Sequence, residues 1–219
     1  MGFRSDLVLR IDGAQPLSAA PFHALQTLCD RAEDDPAAGP VTIHVSGVPG
    51  DGWTTDLSVG LVSKWERALR RLERLIVPTV AMVSGDCGGH ALDALLATDF
   101  RIATPEARLL VTVDGDATWP GMSLYRLARQ AGAGRIRRAA LLGVPIEMTE
   151  ALSLRLVDEV VDDPDAALAA LAERTGAVAG KELAIRRQLL FDASRTSFED
   201  ALGPHLAACD RALRRGAGS

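Results

Sequence analysis

The sequence predicts an α/β fold in which helices pack on sheets, and three observations carry that reading. Short β-branched segments such as Val41-Thr42-Ile43-His44-Val45 alternate with helical patterns through the first hundred residues. Between Leu57 and Leu75 the apolar residues Leu57, Leu61, Trp65, Leu69 and Leu72 recur at spacings of three and four, the signature of a long amphipathic helix. From Met122 onward helical patterns dominate, so the strands gather in the first half of the chain. With 219 residues, 47% of them hydrophobic, the chain can bury one good core and carry a smaller appendage.

Taken in order, Leu7-Val8-Leu9-Arg10-Ile11 alternates and runs into Asp12-Gly13, a strand followed by a turn. Residues 18–32 read as a helix capped by Ser18, with Phe22, Leu25 and Leu28 on one stripe and the polar run Glu33-Asp34-Asp35-Pro36 ending it. After the 41–45 strand, residues 46–53 hold too much glycine and proline for regular structure and should form a shaped loop. Pro78 opens a strand over 79–83, a glycine turn follows, and a helix spans 88–97. Residues 99–103 and 109–113 read as two further short strands. The helical stretches expected beyond them are 124–130, 135–142, 149–154, 164–174, 181–190 and 198–214, with Thr149 as a cap and Pro164 in a first turn. Residues 176–180 are the best linker, and 216–219 should fray. The expected organisation is a core over 1–145 and a helical region over 146–219, whose residues Leu183, Ile185, Leu189, Leu190 and Phe191 need either the core or another subunit to cover them.

Several function classes fall away. No apolar run approaches the roughly 20 residues that cross a bilayer, and Met1-Gly2-Phe3-Arg4-Ser5-Asp6 lacks the order of a signal peptide, so the expected location is the cytoplasm, away from membranes. A net charge of −5 argues against general attraction to nucleic acid, although arginines cluster at 67–74, 135–138 and 186–187. Three scattered cysteines, Cys29, Cys87 and Cys209, suit neither a disulfide framework nor a zinc site, and no metal is expected. His23, His44, His205 and Tyr125 stand at no spacing that suggests catalysis.

The most informative stretch is 76–93, a buried strand, a glycine turn and a helix carrying one carboxylate, Asp93, in its second turn. Backbone N–H groups at a helix start lack intrahelical partners and can hold a developing oxyanion, so carbonyl chemistry is the first expectation. Asp93 lies among Ala91, Leu92, Ala94, Leu95 and Leu96, where burial would raise its pKa and make it a candidate acid or base. The alternative is a structural aspartate satisfied by backbone or by His90, three residues earlier on the same helical face. Asp86 reads as a turn residue and Asp99 as a partner for backbone groups.

The residues Gly85-Asp86-Cys87-Gly88-Gly89-His90-Ala91-Leu92-Asp93, continuing through Ala97-Thr98-Asp99-Phe100-Arg101-Ile102-Ala103, resemble the crotonase (enoyl-CoA hydratase/isomerase) superfamily. Trp119-Pro120-Gly121, the 141–146 segment and the 150–161 segment resemble later family motifs in the expected order. The resemblance implies a spiral of ββα units with a C-terminal helical oligomerisation region, assembly as a trimer or hexamer, acyl-CoA substrates, and no cofactor beyond the coenzyme A of the substrate. It implies an oxyanion hole made by the amide of His90, with Gly89 beside it, and by that of Trp53 in the Trp53-Thr54-Thr55-Asp56-Leu57 turn, where Thr54 replaces the usual glycine. Asp93 falls at the position of the first catalytic glutamate, whereas the second aligns with Val113, which cannot exchange protons. Trp119, Pro120 and Gly121 are placed beside the substrate, with Trp53 and Trp119 flanking the cavity.

Within the family the short chain looks most like the small B-type homologue of bacterial 3,5-dihydroxyphenylglycine biosynthesis in glycopeptide antibiotic clusters. That likeness implies dehydration that helps a polyketide-derived dihydroxyphenylacetyl-CoA aromatise. The alternative it leaves open is a catalytically weak accessory protein that enhances a polyketide synthase or a sister crotonase.

Overall fold

The computed structural model describes residues 7–176 and 180–217. Strand β1 (Val8–Asp12) leads into α1 (Ala19–Asp34), where Ser18 caps the helix by accepting from the Ala20 amide. β2 (Val41–Gly47) is followed by a loop and by α2 (Val59–Leu72), capped by Ser58 through the Leu61 amide. β3 (Thr79–Cys87) then feeds α3 (Gly89–Leu96), β4 (Phe100–Ala103) and β5 (Arg108–Leu109). A small ribbon of β6 (Val113–Asp114) and β7 (Ala117–Thr118) precedes α4 (Met122–Ala131) and α5 (Arg137–Leu142). The chain closes with β8 (Ile146–Glu147), α6 (Met148–Ser153), β9 (Glu159–Val160), α7 (Pro164–Gly176), α8 (Gly180–Ala193) and α9 (Phe198–Ala217).

The main sheet runs β1-β2-β3-β4-β9 with every neighbour parallel, while β5 pairs parallel with the end of β3 and antiparallel with β8. Parallel strands need both faces covered, and β3 accordingly buries Thr79 to Val83 without interruption. Trp65, Leu69 and Leu72 of α2 and Leu25, Leu28 and Cys29 of α1 join the same buried cluster as Ile43, Val45, Ala81 and Val83. The region 146–219, expected to be helical, also supplies β8 and β9 to this sheet.

Four local expectations are corrected. β3 continues to Cys87, because Asp86 and Cys87 pair with Arg108 and Leu109 of β5, so the glycine turn anticipated between the 79–83 strand and the helix from 88 shrinks to the single junction at Gly88. Asp86 is consequently a strand residue held by Arg108 in a two-pronged ion pair, with both N···O distances 2.7 Å. The strand expected over 109–113 is broken into β5 and β6, the latter turning away to pair with β7. Thr149 does not cap α6, which begins after Glu147 without a side-chain cap. The expected linker falls largely on residues 177–179, outside those described; Gly216 and Ala217 continue α9, and 218–219 lie outside.

The carboxyl ends of β1, β2 and β3 converge on a glycine contact that leaves no room for side chains. A Cβ on Gly13 would stand 2.4 Å from the Gly47 carbonyl and 2.5 Å from that of Gly88. Hydrogen bonds lock the approach: Gly13 N donates to Ser46 O at 2.6 Å and Gly88 N to Gly47 O at 2.9 Å. Gly47 itself sits at φ +86°, a conformation that side chains oppose. The far end of α3 is fixed differently. The buried Arg101 guanidinium donates to the carbonyls of Leu95, Leu96 and Thr98 at 2.9, 3.1 and 3.0 Å, placing a cation at the negative end of the helix.

Because both atoms opposing Gly13 are backbone, Gly13→Ala has no cheap relaxation and is expected to cost about 2–4 kcal/mol or more. Thermal unfolding compared with a Gly50→Ala control, where an added Cβ meets nothing within 4 Å, checks this; equal melting temperatures would contradict the packing.

Candidate functional site

The glycine junction aims the start of α3 into a small cavity. Gly88 provides no side-chain cap, and the Ala91 and Leu92 amides already turn back to the Gly88 carbonyl at 3.2 and 3.3 Å. The amides of Gly89 and His90 are left at the open first turn. Gly89 holds φ +53° against Pro49, so the loop after β2 rests on this turn. The cavity has a volume of about 20 Å³, room for one water, and its walls include Trp53, Gly89, His90, Asp93, Trp119 and Gly121. Six of the eight residues singled out from sequence therefore meet around one space. Pro120 is exposed and Thr54 stands behind the wall; neither lines the cavity.

The Trp53 turn is held by tethers to the β6–β7 ribbon. Trp53 Nε1 donates to the Val113 carbonyl at 3.2 Å, and Thr54 Oγ1 donates to Asp114 Oδ2 at 2.8 Å. The Trp53 and Trp119 rings meet edge to face, with centroids 5.1 Å apart. Gly121 makes this possible, since a Cβ there would come within 2.8 Å of the Trp119 ring. The turn's positive φ falls on Gly52, at +68°, and Thr54 takes none, so the turn accommodates a β-branched residue where the family carries glycine. The Trp53 amide has no hydrogen-bond partner among the described residues. Val113, in the place of the family's second glutamate, is 48% exposed and lies outside the cavity walls.

Asp93 is partly buried, with Oδ1 fully enclosed and without a hydrogen-bond partner. Burial is the main force on its carboxyl and, helped by the nearby Glu66 charge, pushes its pKa up to about 7. The Arg126 cation, the Trp65 indole and the Ser123 hydroxyl oppose that rise, yet Trp65 Nε1 closes no hydrogen bond either. His90 does not satisfy Asp93, contrary to the structural alternative considered for it. Its buried ring meets Trp65 edge to face at 5.7 Å, and burial lowers its pKa to about 4, so the imidazole is neutral at physiological pH. Asp99, by contrast, serves backbone groups as expected: Oδ2 accepts from the Thr79 amide at 3.0 Å and pairs with Arg187 at 2.8 Å.

Sequence reasoning passed over Glu66 and Arg126. Arg126 of α4 is buried and bridges Glu66 at 2.8 Å and Glu73 at 3.0 Å, while its Nη1 has no partner. Glu66 lines the Asp93 cavity. The only available signal was an arginine in an apolar helical stripe beside Leu127, since its partners lie more than fifty positions away. No group of three histidine, cysteine, aspartate or glutamate side chains among the described residues is arranged to hold a metal.

An acyl group presented to free amides beside a carboxyl that titrates near neutrality is set up for proton exchange next to a carbonyl. Comparison with known proteins agrees in kind. The sequence model of the enoyl-CoA hydratase/isomerase family matches residues 58–210. A protein of Amycolatopsis orientalis named "Enoyl-CoA-hydratase" is 64% identical over 98% of this chain and 99% of its own. The solved enoyl-CoA hydratase/isomerase of Marinobacter aquaeolei superposes with a TM-score of 0.80 over 96% of this chain and 89% of its own, at 19% identity, a likeness of fold alone. A solved Pseudomonas aeruginosa protein gives a TM-score of 0.76 at 28% identity, over 87% and 88% of the two chains. The fold and site define a crotonase-fold protein, and the chain belongs to the enoyl-CoA hydratase/isomerase family.

The raised carboxyl has a thermodynamic signature. Between its ordinary 3.8 and about 7 the folded protein holds a proton that the unfolded chain releases, so stability falls as pH rises through that interval. Asp93→Asn is expected to remove the penalty, leaving stability little changed near pH 4 but raised by about 1–3 kcal/mol at pH 8. Denaturant titrations at the two pH values check the sign; a pH-independent difference would show that the carboxyl is not buried as a proton acceptor.

Proposed function

We propose that this protein is an acyl-CoA enzyme of hydratase/dehydratase type in which the amides of Trp53 and His90 polarise the thioester carbonyl and Asp93 moves the proton. Gly89 borders the acyl group, and Trp119 with Gly121 and the neighbouring Pro120 and Thr54 shape its surroundings. The observation that carries this reading is the proton-holding Asp93 carboxyl, its Oδ1 buried without a hydrogen-bond partner, in the cavity at the open turn of α3. In the dehydration direction the α-carbon gives up a proton to form an enolate, the bond to the β-hydroxyl breaks, and water leaves with the proton that Asp93 returns. Polarisation by one backbone donor is worth about 3–4 kcal/mol in comparable sites. The narrower setting we infer is dihydroxyphenylacetyl-CoA formation on the way to dihydroxyphenylglycine, in the cytoplasm, alongside a polyketide synthase. The 64% likeness to a protein named "Enoyl-CoA-hydratase" supports the hydratase/dehydratase reading.

A specific observation favours the rival reading, an accessory protein that enhances a synthase or a sister crotonase: Val113 replaces the second glutamate and stands outside the cavity. Asp93→Asn and His90→Pro separate the two. Proline suits a first helical turn and removes the amide donor along with the imidazole, so His90→Pro is compared with His90→Ala, which loses the imidazole but keeps the donor. Crotonyl-CoA hydration should drop about 100-fold or more in Asp93→Asn and His90→Pro and little in His90→Ala. Unchanged dihydroxyphenylacetyl-CoA yield from malonyl-CoA and synthase with Asp93→Asn would favour the accessory role.

The 146–219 region is, in this reading, an oligomerisation region. Phe198 is 75% exposed and Leu213 74%, and Leu190, Leu202 and Leu206 are also open on α8 and α9, more apolar surface than a monomer comfortably leaves to water. Replacing Phe198 and Leu206 by glutamate is expected to shift sedimentation from a trimer or hexamer to a smaller species without unfolding the core; an unchanged distribution would place the contact elsewhere.

A further inference from the structure

A second cavity, about 510 Å³ in volume, lies between α2, α4 and the end of α8. We propose that it is a binding site for a small organic anion, a carboxylate or phosphate carried on a flat apolar body. Five guanidinium groups line it, those of Arg67, Arg70, Arg126, Arg129 and Arg195, against two carboxylates, Glu66 and Glu73. The two acids are already committed: Glu73 to Arg70 at 2.6 Å, and both to Arg126. Arg67, Arg129 and Arg195 form no ion pair among the described residues. Hydroxyl groups orient them instead, Ser63 receiving Arg67 at 3.0 Å, Ser194 receiving Arg129 at 2.6 Å, and the Tyr125 hydroxyl accepting a long contact of 3.5 Å from Arg195.

A hydroxyl fixes the direction of a guanidinium without cancelling its charge. The cavity therefore holds three uncompensated positive charges, on a chain whose overall charge is −5. Guanidinium forks match carboxylate and phosphate oxygens in pairs, which sets the charge and geometry of the ligand head. Met122, Tyr125 and Phe191 border the same space and are each more than 40% exposed, offering apolar and aromatic faces to a flat body. A volume of 510 Å³ lies in the range of small-molecule sites, and access is from the surface rather than through the one-water cavity around Asp93.

Two sources could supply this chemistry. One is a free metabolite. The other is the far end of an acyl thioester, because Glu66 and Met122 line both cavities and form the partition between them; this second source rests on the proposed function. An acyl group ending in a carboxylate would then be preferred to a plain hydrocarbon chain.

The experiment is calorimetric titration of the full chain with phenyl phosphate and with phenylacetate, repeated on an Arg129→Gln/Arg195→Gln double variant and on Asp93→Asn. Saturable one-site binding by the wild type, weakened at least tenfold in the double variant and unchanged in Asp93→Asn, supports the site. A second arm compares glutaryl-CoA with pentanoyl-CoA: a glutaryl preference that disappears in the double variant identifies the acyl end as the source. Phenyl phosphate binding that is unaffected by saturating acyl-CoA identifies a free metabolite. Absence of binding by both probes together with no glutaryl preference overturns the proposal, as does equal affinity in the double variant. So does a double variant whose only change is in sedimentation, which would make these arginines a contact between copies. A protein without acyl-CoA turnover that still binds phenyl phosphate through Arg129 and Arg195 would sink the proposed function and leave this site standing.

Discussion

The close approach of three backbone segments at Gly13, Gly47 and Gly88 is the constraint on which the rest of the molecule depends. In a parallel sheet the carboxyl ends of the strands are where loops can build a crevice, and here those ends are drawn together until only hydrogens fit between carbonyls. The contact sets where β3 stops and α3 starts, and so fixes the direction in which the first amides of that helix point. Everything chemical at the cavity inherits its position from a place with no side chains at all.

The two ends of α3 have opposite treatments, and the difference is electrostatic. At its carbonyl end Arg101 is buried deeply enough that its pKa falls to about 10, yet it still carries its charge and satisfies three carbonyls at once. Its amide end has no such partner from the protein, which leaves positive potential facing the cavity. Asp93, one turn further in, is held in its protonated form across much of the acidic range by burial, while Arg126 gathers the neighbouring glutamates Glu66 and Glu73. One carboxyl keeps a buried oxygen without a hydrogen-bond partner and two are consumed in ion pairs, within the same stretch of α2, α3 and α4.

Much of this was legible in the sequence because it is local. The amphipathic period of α2, the Ser18 cap, the strand after Pro78 and the carboxylate in the turn after Gly88-Gly89 all follow from neighbours within a few positions. Strand lengths were not, because β3 is extended by its pairing with β5 and the 109–113 run is divided by separate partners, β8 for one half and β7 for the other. Arg126 and Glu66 were invisible for the same reason: an ion pair across sixty residues leaves no periodic trace. The contact of the His90 ring was hidden for a different reason. Helical spacing put it on the face of Asp93, but the size of the Trp65 ring decided the contact.

The tethers between the Trp53 turn and the β6–β7 ribbon give the cavity a property that its volume alone conceals. With space for a single water, the cavity holds nothing the size of an acyl group unless its walls give way, and the Trp53–Trp119 contact and the indole bond to Val113 are among the contacts that hold those walls. Admission is thus an exchange of one set of contacts for another, and a guest is sorted by whether its own surface can replace what two tryptophans give each other.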